Sequence, residues 1–310
     1  MLTGAITQGR RLSVVRRAGA MAFFGLLLVV SDSRAQSAAA AVGKLDFDVA
    51  SVRQNRSGSK PESNFPLGPG DMYTHTGGVF SASDQPLITY IAFAYKLTIS
   101  QLQVVRQRLP EWVMTDRFDI EARSEVRDPS KEQMRLMMRS LLADRFRLRV
   151  HEEARQLPVF GLVLAKPGRT GPKLRPHGEQ DGSCAASPSP AAGVVGGYPE
   201  VCGGLALMPT SAAGGLGGMN VGARNVSLDF IARSLAGIGE LERPVVDQTG
   251  LGGSYDFALE FTPERLGAQT ESEGTTFPEA LREQLGLKLA AQKGSVDLVI
   301  VDSVERPSKN

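Results

Sequence analysis

GGVFSASDQPLITYIAFAY (residues 77–95) has a partner further along the chain in GGMNVGARNVSLDFIARSLA (residues 217–236). From Phe80 onward the two align without gaps at an offset of 141, pairing Phe80 with Val221 and Asp84 with Asn225. Leu87, Tyr90, Ile91 and Ala94 then match Leu228, Ile231, Ala232 and Leu235. Those four positions keep the i, i+3, i+4, i+7 spacing of one helical face, so each stretch predicts a helix entered from a strand. Asp84 and Asn225 stand just before the helices, where a short side-chain oxygen can cap free N–H groups. Pro86 suits a first helical turn, where its missing N–H costs nothing.

The likeness continues downstream. Val104-Val105 corresponds to Val245-Val246, each followed by a short turn, and DRFDIEA (116–122) corresponds to GSYDFALEF (253–261). Phe118, Ile120 and Ala122 alternate with polar residues, and Tyr255, Phe257, Leu259 and Phe261 share a face, the period of a half-buried strand. The first half adds a helix through Met134, Met137, Met138, Leu141 and Leu142, then RFRLRV (145–150) and PVFGLVLA (158–165). The second adds FPEALREQL (277–285), LKLAA (287–291) and VDLVIV (296–301). The common order is β-α-β-β followed by α-β-β, which predicts an α+β fold made by internal duplication, with two small mixed-sheet subdomains. The expected boundaries are a first unit at 45–166, a linker at 167–217 and a second unit at 218–307. Asp247-Gln248-Thr249-Gly250, which could pass for a catalytic loop, has RLPEWVMT (108–115) in its place in the first half. With Gly250, Gly252 and Gly253 beside it, the stretch reads as a turn.

The N-terminus carries Arg10, Arg11, Arg16 and Arg17, an apolar run Ala18 to Val30, and small residues around Ala35. This predicts a secretory signal peptide over 1–35, by Sec or twin-arginine export, and a periplasmic or extracellular protein. A membrane anchor is the alternative, but the apolar run reaches only roughly 20 Å, against about 30 Å of hydrocarbon. Loss of 1–35 removes five Arg and one Asp, leaving 30 basic and 32 acidic residues, a formal −2. That balance gives no general argument for nucleic-acid or membrane binding, so no nucleic-acid partner is expected, and no later segment is apolar enough for a membrane span. Cys184 and Cys202 lie in GSCAASPSPAAGVVGGYPEVCGG (182–204), too rich in Gly, Pro, Ala and Ser to order itself by burial. In an oxidising compartment the pair reads as a disulfide closing a flexible loop, contributing about 3 kcal/mol in a chain-entropy account. A reactive thiol or a metal ligand, with His177 in reach, is the other reading.

FDVASVRQN (47–55), LPEWVMTDRFDIEA (109–122), LLADRFRLRVHEEARQLPVFGLVLAK (141–166) and RPVVDQTGLGGSYDFALEFTP (243–263) together resemble a soil-associated family of exported bacterial proteins. The resemblance runs from about Phe47 to Pro307 and implies an exported domain of unknown function. Similar domains in some relatives are attached to membrane zinc peptidases of the antibiotic-sensor type. No catalytic residues come with it. NVSLDFIARSLAG and RPVVD are also similar to the short N-terminal domain of secretins and TonB-dependent receptors, which implies a periplasmic interaction module.

Chemistry is sparse. His75, His151 and His177 show no metal spacing, and no nucleophile elbow or phosphate-binding loop occurs, so no metal, cofactor or catalytic residue is assigned. Ser57-Gly58-Ser59-Lys60 has a Ser-x-x-Lys spacing but sits in a polar Gly/Pro loop. Asp119 with Glu121, and Asp256 with Glu260, read as carboxylates on the outer faces of strands. Arg145, Arg147 and Arg149 would share one face of a strand, about 6.6 Å apart, and form the candidate binding residues. The expectation is an envelope interaction or ligand-sensing module whose partner is an envelope protein or an anionic wall polymer. The alternative is an envelope hydrolase with carboxylates gathered from separate segments, for which a deep pocket holding two carboxylates or a buried Arg–carboxylate cluster would speak, whereas a shallow surface with a free strand edge would speak for the module.

Overall fold

The computed structural model describes residues 45–178, 193–210, 218–263 and 274–307. The expected signal peptide and Cys184 lie outside the described residues. The described residues group as one compact unit.

The first half contains β1 (Val49–Asn55), β2 (Glu62–Ser63), β3 (Val79–Pro86), α1 (Leu87–Ala94), α2 (Ile99–Arg106), α3 (Trp112–Thr115), β4 (Arg117–Arg123), α4 (Lys131–Arg145) and β5 (Arg149–Leu164). Its antiparallel sheet has the order β1-β4-β3-β2. The alternation read in 118–122 is met: Phe118, Ile120 and Ala122 are buried, while their neighbours on β4 are not. They join Phe80, Tyr90, Ile91, Met134, Met138 and Phe146 in the first core. The Tyr90 hydroxyl, fully buried, donates to the Phe118 carbonyl at 2.9 Å, so this core holds no orphaned phenol.

The second half contains β6 (Leu174–Pro176), β7 (Val194–Val195), β8 (Tyr198–Pro199), β9 (Leu205–Leu207), β10 (Met219–Ser227), α5 (Leu228–Ile238), β11 (Val245–Asp247), β12 (Ser254–Phe261), α6 (Phe277–Ala280) and β13 (Leu287–Ser303). A π-helical turn, Leu281–Leu285, continues α6. The second sheet has the order β6-β12-β10-β9. The described parts of 167–217 thus supply edge strands to this sheet. The fold is α+β.

The two halves are stitched by their last strands. β5 and β13 pair antiparallel from Leu287 opposite Leu164 to Val301 opposite Val150, with Gln156 opposite Ser295 midway. Phe160 and Leu164, at the far end of β5, pack against the second core. Val299 and Val301, at the far end of β13, pack against the first. Each half is therefore closed by the end of the other's strand, and β11 extends this ribbon by parallel pairing with β5.

The matched residues 84 and 225 do something other than cap a helix. Both sit at a β-bulge, between Ala82 and Gln85 in β3 and between Ala223 and Val226 in β10. Asp84 has φ 54° and Asn225 φ 52°, a left-handed conformation that Asp and Asn tolerate better than most residues. Their N–H groups donate to Asp119 Oδ1 at 2.9 Å and to Asp256 Oδ1 at 3.0 Å. The cap of α5 is Ser227, whose Oγ accepts from the Phe230 N–H, while Pro86 precedes α1 with no side-chain cap. The expected match of Val104-Val105 with Val245-Val246 also fails in form, since the first pair is helical in α2 and the second is β11. Thr98 and Gln101 form a capping box that starts α2, and the second half has no counterpart there.

RFRLRV is not one strand. Arg145 closes α4, Phe146 caps it, Arg147 takes φ 49°, and only Arg149 and Val150 belong to β5. The apolar face of α4 runs on through Leu142 to Phe146, and the Leu148 N–H returns to the Leu142 carbonyl at 3.3 Å, so helix packing outcompetes strand alternation. The 247–250 stretch is a turn: Asp247 Oδ1 accepts from the N–H and hydroxyl of Thr249, and Gly250 has φ 70°.

Candidate functional site

A cavity of about 260 Å³ opens where the two halves meet. From the first half come the loop through Pro66, Pro69, Gly70 and Met72, together with Thr98, Ile99 and Lys131. From the second come Gly204, Leu205, Phe230, Ser234 and Ile238. Backbone contact fixes this meeting, for the Met72 N–H donates to the Gly203 carbonyl at 3.0 Å. A Cβ on Gly70 would lie 2.1 Å from that carbonyl, so only glycine allows the approach. Arg135, fully buried on α4, anchors the same loop. Its Nη1 donates to Asp71 Oδ1 at 2.9 Å, and its Nη2 to the carbonyls of Pro69 at 2.9 Å and Gly70 at 2.6 Å.

Lys131 is the cavity's one basic side chain among the described lining residues. It stands at the first position of α4 behind the Ser130–Gln133 capping box, and only 5% of it is exposed. Its Nζ is buried without a hydrogen-bond partner. Burial pushes its pKa from 10.5 down to about 7, the positive charge of Arg135 adds to the shift, and Asp71 opposes it. A buried amine that is neither paired nor fully charged is costly and is found chiefly where it serves a site.

The buried Arg–carboxylate cluster is centred on Asp256. This residue has no exposed surface, contrary to the expected place on an outer strand face. His177 Nδ1 is 2.7 Å from Asp256 Oδ1, Arg175 Nη2 donates to Oδ2 at 3.0 Å, and Arg224 Nε lies 3.8 Å from Oδ2. With the Asn225 N–H also on Oδ1, both oxygens are engaged, and the cluster ties β6 to the bulge of β10. Arg175 further stacks on Tyr198, 4.5 Å from its ring centre. A carboxylate so occupied holds strands together; a general base needs a free lone pair facing substrate.

A polar hollow of about 470 Å³ lies at the corresponding place in the first half, lined by Asn55, Arg56, Asp84, Thr115, Asp116 and Arg117. Asp119 there accepts from Asn55 Nδ2 at 2.7 Å as well as from the Asp84 N–H. Asp84 is 3% exposed, and its Oδ1 has no hydrogen-bond partner.

The structure disperses the residues expected to bind. Arg145 Nη2 donates to the Ala50 carbonyl, whereas Arg147 and Arg149 are exposed on either side of the chain reversal. The three guanidinium groups do not line one strand face. His75 is exposed beside Asp128, and His151 Nδ1 is 2.9 Å from Asp302 Oδ1. Ser57 to Lys60 form an exposed loop. Among the described residues no group of three or more His, Cys, Asp and Glu could hold a metal, and no helix is long and apolar enough to cross a membrane. Sequence reading missed Lys131, whose only visible signal is its place next to Ser130 at a helix start. It missed the Asp256 cluster because alternation assigns a face without saying what covers it.

No curated protein and no solved structure matches the chain. Residues 88–304 match a family described as protein of unknown function (DUF3738), a span that includes Lys131, Phe230 and both long strands. The chain belongs to that family.

Proposed function

We propose that the protein is a binding module that holds a small apolar ligand in the cavity between its halves, and does not catalyse a reaction. The observation that carries this reading is the cavity itself: Met72, Ile99, Leu205, Phe230 and Ile238 surround it, and Lys131 is its unpaired polar group. Concave, mainly apolar sites with one or a few placed polar groups are the usual form of small-molecule pockets. The Asp256 cluster, the feature that would favour a hydrolase, has its oxygens committed to structure. We read the two halves as copies of one unit, on the strength of the paired bulges and their carboxylate acceptors. We also read the chain as an exported, soil-associated envelope protein that passes ligand occupancy to an envelope partner. In that setting residues 1–35 are removed and Cys184 is joined to Cys202; the intact mass of the protein from its own host, without reductant, reports on both.

The test is to fill the cavity. A side chain on Gly204 would press on the flexible end of Met72 (2.8 Å from its Cε) in the cavity wall, and its φ is not in the left-handed region, so Gly204→Leu fills the site without backbone strain, and its thermal melt reports whether it folds as the wild type does. Titration of 1-octanol should give saturable binding to the wild-type chain and at least about tenfold weaker binding to Gly204→Leu. Equal binding to both, with unchanged thermal melts, places the ligand elsewhere and removes the reading.

A further inference from the structure

We propose that the cavity selects an amphiphile ending in a carboxylate, whose acid group pairs with the Lys131 amine while its chain lies against the apolar wall. This rests on the cavity being the ligand site and names the class of ligand it takes.

The charges around Lys131 leave it as the cation without an anion. Two carboxylates stand nearby, and both are engaged with other cations. Asp71 Oδ1 takes a hydrogen bond from Arg135 Nη1 at 2.9 Å. Glu132 Oε2 lies 2.7 Å from Lys96 Nζ and 3.5 Å from Arg135 Nη1. Lys96, from the turn after α1, and Arg135, one helical turn along α4, add positive potential. The N-terminal end of α4 adds more, because the first amide dipoles of a helix point their positive end outward there. Among the described residues, then, Lys131 Nζ is buried beside an apolar cavity in a positive field with no acceptor.

The rest of the wall decides the class of anion. Thr98 and Ser234 are the other polar side chains at the cavity, and the Ser234 hydroxyl already donates to the Phe230 carbonyl at 2.7 Å. A phosphate or sulfate would bring more charge and more acceptor oxygens than one amine can satisfy. A single carboxylate matches a single ammonium. A bare hydrocarbon would leave the amine unpaired, which is costly in an apolar setting. The remaining walls are prolines, glycines and aliphatic or aromatic carbon, suited to an alkyl or aryl tail. Because burial pushes the Lys131 amine down to about 7, the pairing is coupled to proton uptake. Affinity for the carboxylate is highest below that pH. It falls as pH rises, by up to about tenfold per unit, while the uncomplexed amine loses its proton.

The experiment compares octanoate with 1-octanol on the full chain, at pH 6 and at pH 9, for the wild type, Lys131→Met and Lys131→Gln. The expected result is that octanoate binds the wild type at pH 6 at least about tenfold more tightly than 1-octanol does. The preference, read as the ratio of the two affinities within each protein, should shrink at pH 9 and vanish in both variants. Octanoate binding that is unchanged in both variants, or no preference at pH 6, overturns the inference while leaving the cavity reading intact. If neither compound binds, or if Gly204→Leu binds both as the wild type does, the cavity reading falls and the inference with it.

Discussion

At the scale of single residues, Lys131 makes the sharpest statement. Its folded pKa, about 7, lies below its ordinary value of 10.5, so between those limits the unfolded chain holds a proton that the folded chain has released. Stability must then increase with pH across that window, by up to about 1.4 kcal/mol per pH unit, and the burden of the buried charge is fully present below it. Lys131→Met removes this dependence. Urea unfolding from pH 6 to pH 10 should show a gap in favour of the variant at pH 6 that narrows steadily towards pH 10. Parallel curves for the two proteins would mean that the amine is not desolvated. Little of this residue's role was legible in the sequence: a lysine at the first turn of a helix looks like surface charge, and no local pattern tells that the fold buries it beside a cavity. Asp256 teaches the same point from the other direction. Its face in the strand follows the alternation, but β6, the neighbouring strand, brings Arg175 and His177 to its carboxylate, and Tyr198 and Met208 pack against Ala258 on that face.

At the scale of elements, the ends of the two longest strands begin alike but are built from different residues. α4 passes into β5 through Arg147 at φ 49°, and the π-turn passes into β13 through Gly286 at φ 69°. Glycine adopts this conformation at little cost, whereas an arginine there is strained. Arg147→Gly should therefore stabilise the protein by about 0.5–1 kcal/mol. Gly286→Ala faces a second obstacle, since its Cβ would lie 2.4 Å from the Gly171 nitrogen, and it should cost more than about 2 kcal/mol. Thermal melts of the two single variants, shifting in opposite directions, are the expected result. A common direction would contradict this account of the two transitions. The helices α1 and α5 and the strand β4 were legible because periodicity and burial agree there, whereas β12 is buried on both faces from Tyr255 to Leu259. RFRLRV was not, because its alternating pattern also continues the apolar stripe of α4, and the left-handed residue that separates helix from strand is an arginine, which carries no turn signal.

At the scale of the whole molecule, the exchange of strand ends between β5 and β13 explains why a cavity exists between the halves at all. Each half carries its own sheet and core, and the ribbon holds both while the 66–72 loop and residues 203–205 close against each other at glycines. The α+β class could be read from the chain. The closure could not, since it depends on pairing between residues more than a hundred positions apart and on Gly70 and Gly203 approaching at backbone distance. The most direct test of the central claim, that this junction is the ligand site, is a methyl NMR titration of the protein labelled at its methionines. Met72 lines the cavity, whereas Met134, Met137 and Met138 are buried in the first core. Adding octanoate should shift the Met72 methyl resonance progressively and leave those three in place. Saturable octanoate binding with an unmoved Met72 resonance would contradict the account.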